Sequence, residues 1–171
     1  MYTLDLLEHA HRMALKSTKG LPLLGWYIPA TYGDWSVKDV FAHFTSCEYV
    51  LLDIMAAVMG SRPTPTLARW LEDRDLFDQV EIARRHNKTV QAILNEYNEA
   101  HAETIYQIIH ISDEKLRENG TLPWYGEECD LEQFITYTFY HHKRELAEYV
   151  AGFRDQMLRV MSREKVRRPD R

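Results

Sequence analysis

Residues 36–60 read SVKDVFAHFTSCEYVLLDIMAAVMG, and this stretch decides the fold. Its apolar side chains recur at alternating steps of three and four residues, which is the spacing of one face of an α-helix. They are Val37, Val40, Phe44, Cys47, Leu51, Ile54 and Val58. Ser36 and Asp39 can form a capping box, because each side chain can satisfy a free backbone N–H of the first turn. The stretch therefore predicts a long helix that ends near Gly60 and packs against a partner helix.

Two further long helices are predicted on either side of this one. The first runs over residues 3–19 and stops at Gly20-Leu21-Pro22. The other runs over residues 87–111, and the side chains that it directs inward are Val90, Leu94, Tyr97, His101, Ile105 and Ile108. Between them, Arg62-Pro63-Thr64-Pro65 is a break, and residues 67–85 are expected to form short helices.

A fourth long helix is predicted to begin at a second capping box, Asp130 with Gln133. Its inward face is expected to carry Ile135, Thr138, His142, Leu146, Tyr149 and Phe153. The loop before it, Leu122 to Gly126, looks exposed. Four long helices with partly long connections predict an all-α fold, a four-helix bundle of the up-down class. Residues 1–161 are expected to form one domain, and residues 162–171, with five Lys or Arg, a flexible basic tail.

Composition excludes several classes of function. The 171 residues include 21 Lys plus Arg and 26 Asp plus Glu, and the resulting net charge of −5 argues against nucleic-acid binding. No apolar run approaches the ~20 residues of a membrane span, and the N-terminus lacks the features of a signal peptide. The two cysteines form no CxxC pair. These features predict a cytoplasmic protein that binds neither nucleic acid nor a membrane.

The chain's histidines suggest where chemistry could occur. His43 lies beside the apolar stripe of the second helix, and His142 lies on the inner face of the fourth. Imidazoles that project inward from facing helices are typical of metal sites in bundles, although a single inward histidine is more often a hydrogen-bonded core residue. A catalytic site needs a third ligand, and the sequence leaves Glu145, His101 and Cys47 as alternatives. Cys47 could instead be a nucleophile activated by His43, but a cysteine at such a position is usually packing.

The sequence also resembles a known family. Residues 34–44, DWSVKDVFAHF, resemble the WSVKDVLAHL second helix of the DinB-like four-helix bundle superfamily, and residues 142–148, HKRELAE, are similar to its HEREHAE pattern. The helix at Asn87 and the segment Trp124-Tyr125-Gly126 fall where members place an Asn-led helix and a W-x-G loop. The resemblance spans about residues 4–154. It implies a damage-inducible or thiol-dependent protein built on four helices.

The resemblance also implies a divalent metal, zinc or nickel, held by one histidine of the second helix and an H-x-x-x-H pair on the fourth. His43 matches the first ligand and His142 the second, but the third position is Leu146, which cannot bind a metal. A shifted register would pair His141 with Glu145 but spoil the agreement further along the helix. The ligand set expected from the sequence is therefore His43, His142 and Glu145.

Three functions follow as hypotheses. The first is a metal-dependent thiol transferase or small-molecule hydrolase with a degenerate metal site. The second is a non-catalytic protein of stress response or self-protection, which binds a small molecule or thiol in the bundle cavity, with loop aromatics such as Trp124 as its lid. The third is a structural homodimer, since relatives of this kind often dimerise.

Overall fold

The structure, a computed structural model, describes residues 2–29 and 31–167, with side chains up to residue 163. Its regular elements are helical, which confirms the all-α class, and the described residues add only an isolated bridge between Tyr32 and Trp35. The helices are α1 (Tyr2–Ser17), α2 (Val37–Val58), α3 (Pro65–Glu72), α4 (Arg74–Arg85), α5 (Val90–Ile108), α6 (Asp113–Leu116), α7 (Leu131–Phe134) and α8 (His141–Arg167). A 3₁₀ turn spans Leu23–Tyr27, and a π-turn, Ile135–Tyr140, joins α7 to α8.

Both predicted capping boxes are present. The Asp39 N–H donates to Ser36 Oγ at 3.2 Å, and the Ser36 N–H donates to Asp39 Oδ2 at 2.9 Å. Asp130 and Gln133 make the same reciprocal pair at the start of α7. Each box satisfies backbone donors that a helix start leaves free. They fix where α2 and α7 begin. α2 carries His43, and α7 leads through the π-turn into α8, which carries His142.

α2 lies at the centre of the packing. It contacts α5 along its length, touches α8, and is covered on another side by α3 and α4, while α1 packs on α8 and α5. By length and composition α2 is, within the described chain, the one helix that could cross a membrane, but 67% of its most apolar window is buried inside the fold. That burial is what a core helix requires, and it explains why α2 is apolar nearly all round.

The inward face of α8 differs from the predicted one. Tyr149 was expected to be inside but is 48% exposed, whereas Phe139, Lys143 and Val150 are buried. The π-turn explains the difference, because its turns hold more residues than those of an α-helix and shift the phase of the residues along it. Ile135 and Leu146 are buried as predicted.

The structure revises one loop prediction and describes part of the predicted tail. Leu122 is not exposed but 1% accessible, and Trp124 and Tyr125 are half-buried against the ring of Phe134. An apolar loop end of this kind is drawn inside because it closes the end of the core. The predicted basic tail is described only in part: α8 continues to Arg167, and residues 168–171 lie outside the described residues.

Candidate metal centre and adjoining pocket

The centre of the candidate site is His43, which α2 places in the interior at 4% exposure. Its Nδ1 lies 3.0 Å from Asp78 Oδ1 on α4, so the imidazole donates the Nδ1–H, a tautomer assigned from the acceptor. Its Nε2 lies 2.8 Å from His142 Nε2 on α8 and 3.3 Å from Cys47 Sγ, one turn further along α2. We call His43, Cys47 and His142 the donor group, because their three ligand atoms lie within 4.8 Å of one another.

The charges around the donor group set which imidazole carries a proton. Burial alone would lower the pKa of His43, but the neighbouring Cys47 charge and the Asp78 carboxylate outweigh it and raise the pKa to about 10. Burial and the positive charge of His43 lower the pKa of His142 to about 4. His142 is therefore neutral, and its Nε2 accepts the proton that His43 Nε2 donates.

These residues fit a divalent metal. Two imidazoles and a thiol suit zinc or nickel, and a carboxylate behind a ligating histidine is the usual way of fixing the ring. With Zn–N bonds of about 2.0–2.1 Å and Zn–S of about 2.3 Å, tetrahedral ligand atoms lie roughly 3.3–3.7 Å apart. The two imidazole nitrogens, 2.8 Å apart, are closer than that, and His142, which is exposed, is the member with room to move. Metal binding would displace the proton that the two imidazoles share.

The structure brings some predicted ligands together and separates others. His43 and His142 meet, and Cys47, one of three alternatives for the third ligand, lies beside them. Glu145 is exposed and lines a different surface groove, together with Thr31 and Tyr149. His101 is buried elsewhere, next to Glu48.

The position of the missing family ligand is also resolved. Leu146, the residue at that position, is 1% exposed and packs in the apolar core with Val40 and Phe44. The residue one turn before His142, Thr138, lines the pocket instead, and its hydroxyl donates to Tyr125 Oη at 2.9 Å. The side chain at this position therefore belongs to the core and not to the site.

A pocket of about 250 Å³ opens directly onto the donor group. Its walls are mostly apolar side chains of α2, α3, α4, α7 and the π-turn: Val50, Leu51, Trp70, Phe77, Phe134 and Phe139. The polar lining comes from the donor group, Asp78, Thr138, Lys143 and Arg74. A concave apolar chamber with a few converging polar groups is the usual form of a small-molecule site.

Two pocket residues were not found from the sequence. Asp78 and Arg74 lie in the segment that was predicted only as short helices, and they are one turn apart on α4. Phe77, Glu81 and Arg85 form the buried face of the same helix, and their spacing of four residues is the pattern from which that face could have been predicted. That signal identifies an inward face but not the helix it meets, so Asp78 could not be matched with His43.

A second polar cluster lies in the core. The sequence predicted that His101 points inward but not that it meets other polar groups there. Glu48 is fully buried, its Oε1 accepts from Lys143 Nζ and from His101 Nδ1, and its Oε2 accepts from Thr104 Oγ1 at 2.7 Å. The ring of His11 stacks on that of His101 at 3.9 Å. We call these five residues the Glu48 cluster.

The charges of the Glu48 cluster are matched inside it. Burial would raise the pKa of Glu48, but the Lys143 ammonium and the His101 hydrogen bond lower it to about 2. Burial, reinforced by the charges of His101 and Lys143, lowers the pKa of His11 to about 3. Three of its groups, on His11, Glu48 and His101, are also close enough to hold a metal, but Lys143 already neutralises the carboxylate and the two rings lie parallel.

Comparison with known proteins supports the resemblance seen in the sequence. Residues 6–149 match the family model of the DinB superfamily. Neither the curated proteins nor the solved structures contain a match to the chain. The matched region takes in α2, the π-turn and the start of α8, and with them the whole donor group. The chain belongs to the DinB superfamily.

Proposed function

We propose that this protein binds a divalent metal ion, zinc or nickel, through His43, Cys47 and His142, and acts on a small molecule held in the adjoining pocket. The observation that carries the proposal is the convergence of three soft or borderline donor atoms at the wall of an apolar chamber. Three protein ligands and an open position are typical of a catalytic rather than a structural zinc site. The reaction class is a thiol transfer or a hydrolysis.

Such an ion, when bound, supplies a water or thiol nucleophile at neutral pH by lowering its pKa. The chain's own residues do the rest. Asp78 holds the His43 ring by its Nδ1–H, so that Nε2 faces Cys47 and His142. The aromatic side chains of Phe77, Phe134 and Phe139 line the pocket and keep bulk water from that part of it.

A non-catalytic binding protein is the second candidate. It is favoured by Leu146, which removes the family's third histidine and fills that place with apolar core. In this alternative the same pocket binds and sequesters a small molecule, and His43 and His142 share a proton as ordinary buried partners.

We further infer that α1, α2, α5 and α8 form the four helices of a DinB-type bundle, which the pairwise contacts among them support. A cytoplasmic location, a role in stress response and a homodimeric state stay predictions. Light scattering at micromolar concentration tests the dimer directly, and a monomer would contradict it.

The proposed function is tested by metal content and affinity. The protein, purified without chelators and titrated with zinc and with nickel, is expected to bind about one equivalent. His43→Ala and Cys47→Ala should lose that equivalent, and Glu145→Gln, the matched control on the exposed side of α8, should keep it. Loss in Glu145→Gln with retention in Cys47→Ala would restore the ligand set expected from the sequence. No binding in the parent protein would favour the non-catalytic candidate.

A further inference from the structure

The pocket contains one cationic side chain whose charge is not matched. Asp78 is held by His43, and Lys143 is paired with Glu48. Arg74 also lines the pocket, and within the described part of the chain no carboxylate forms an ion pair with its guanidinium. Arg74 is exposed to solvent while it lines this largely apolar chamber. A charge in that position with no ion-pair partner is free to bind a ligand of opposite charge.

Arg74 is also held in a defined place. Its guanidinium carbon lies 4.2 Å above the ring centroid of Trp70. Trp70 in turn meets Trp124 edge-on at 5.5 Å, and Trp124 meets Phe134 in the same way. Stacking on an indole occupies the face of the guanidinium but leaves its N–H edge available, and that planar edge matches a carboxylate.

The rest of the chamber restricts the size and character of the ligand. A volume of about 250 Å³ is the space of roughly eight water molecules at about 30 Å³ each, which suits a ligand of roughly eight to twelve non-hydrogen atoms. Aromatic and aliphatic side chains line most of the chamber that Arg74 shares with the donor group. They favour an apolar body and offer few partners to a sugar or a peptide.

We propose that the pocket binds a small apolar monocarboxylate, whose carboxylate pairs with Arg74 and whose apolar body lies between Trp70, Phe77 and Phe139. The far end of such a ligand meets the donor group, and this part of the inference rests on the proposed function. The recognition of the anion does not: it needs Arg74 and the aromatic walls, and no metal.

The test uses 3-phenylpropionate, which has the right size, and its neutral isostere 3-phenylpropanamide. Both are titrated by calorimetry into protein stripped of metal with a chelator. The acid is expected to bind at least about tenfold more tightly than the amide, since a charge-assisted bidentate pair is lost in the amide. Arg74→Gln should abolish this preference and leave the affinity for the amide unchanged. Arg84→Gln, on the same helix and outside the pocket, should retain the preference.

Several outcomes would overturn the inference. They are equal affinity for acid and amide in the parent protein, an unchanged preference in Arg74→Gln, or binding of the acid only after zinc is added. The last result would mean that a metal rather than Arg74 holds the carboxylate. Retained affinity of Arg74→Gln for the amide separates loss of the anion partner from loss of the fold. Cys47→Ala, which should lose metal but leaves Asp78 held by His43, should still prefer the acid, and it separates failure of this inference from failure of the proposed function.

Discussion

The interior of this protein contains two polar clusters that are built from similar residues and differ in how completely they are satisfied. In the Glu48 cluster, a carboxylate accepts hydrogen bonds from an ammonium, an imidazole and a hydroxyl, so its charge is matched inside the core. In the donor group, three ligand atoms face one another across a shared proton and open onto a pocket. The Glu48 carboxylate has both of its oxygens occupied by donors from the protein, whereas the donor group opens onto a pocket. The difference assigns structure to one and chemistry to the other.

The largest expected effect is on the Glu48 cluster. Glu48→Gln leaves the buried Lys143 ammonium without a counter-charge, and we expect the free energy of unfolding in urea to fall by about 3–5 kcal/mol. Glu145→Gln, on the exposed side of α8, should change it by less than about 0.5 kcal/mol. Replacing Glu48 and Lys143 together by Leu and Met should recover most of the loss. If Glu48→Gln were as stable as Glu145→Gln, the Glu48 cluster would not be the structural one of the two clusters.

The next prediction concerns Asp78 beside the donor group. It tests whether this residue orients the His43 ring or is needed for the fold. Asp78→Asn weakens the hold on the His43 ring, and we expect affinity for zinc, measured by competition with a chromogenic chelator, to fall about 10–100-fold. The thermal midpoint should change little, because Asp78 is half-buried at the pocket wall. Asp75→Asn, one turn earlier on α4 and exposed, is the matched control. Equal losses in the two variants would contradict the positioning role.

A third effect is a pH dependence of the Glu48 cluster. The pKa of His11 is about 3 in the folded protein and about 6.5 when exposed, so only the unfolded chain binds a proton between these values. The part of the free energy of unfolding that depends on a neutral His11 is fully present above pH 6.5 and is lost as the pH falls towards 3. The slope is at most about 1.4 kcal/mol per pH unit.

His11→Leu should flatten this slope in urea titrations between pH 6.5 and 4.5, because it removes the group that protonates only in the unfolded chain. His9→Leu, on the same helix but exposed, should keep it. An unchanged slope in His11→Leu would mean that other groups carry the acid sensitivity, with His101, Lys143 and Glu48 facing His11 as the first to examine.

Local rules predicted most of the secondary structure and half of the candidate site. The stripe from Val37 to Val58 and the two capping boxes depend on residues within one or two turns, so they could be recognised in the sequence. His43 followed from the same helical phase, whereas His142 was predicted on the inner face and is exposed, although it still meets His43. Asp78 did not follow from that phase, because its partner depends on how α4 lies against α2, and no local pattern records that.

The third ligand shows where helical phase stops being informative. Glu145 and Cys47 were both within a turn of a predicted ligand, and the choice between them depends on the rotation of α8. The π-turn sets that rotation, and it turned Lys143 inward and Tyr149 outward. A π-turn has no firm sequence signature, so the phase was predicted correctly at Ile135 and Leu146 but not between and beyond them.

The π-turn also bears on how this chain tolerates changes in length. Removing one residue from Ile135–Tyr140, such as the exposed Tyr137, would let the segment close into a regular α-helix. Because a π-turn closes over one residue more than an α-helical turn, this deletion would leave the segments on either side of it in nearly the same relative rotation. A deletion inside the regular part of α8 would instead rotate the residues on its two sides by about 100° against each other. The segment Ile135–Tyr140 is therefore the place where this helix can lose one residue and still present both Phe134 and His142 to the pocket.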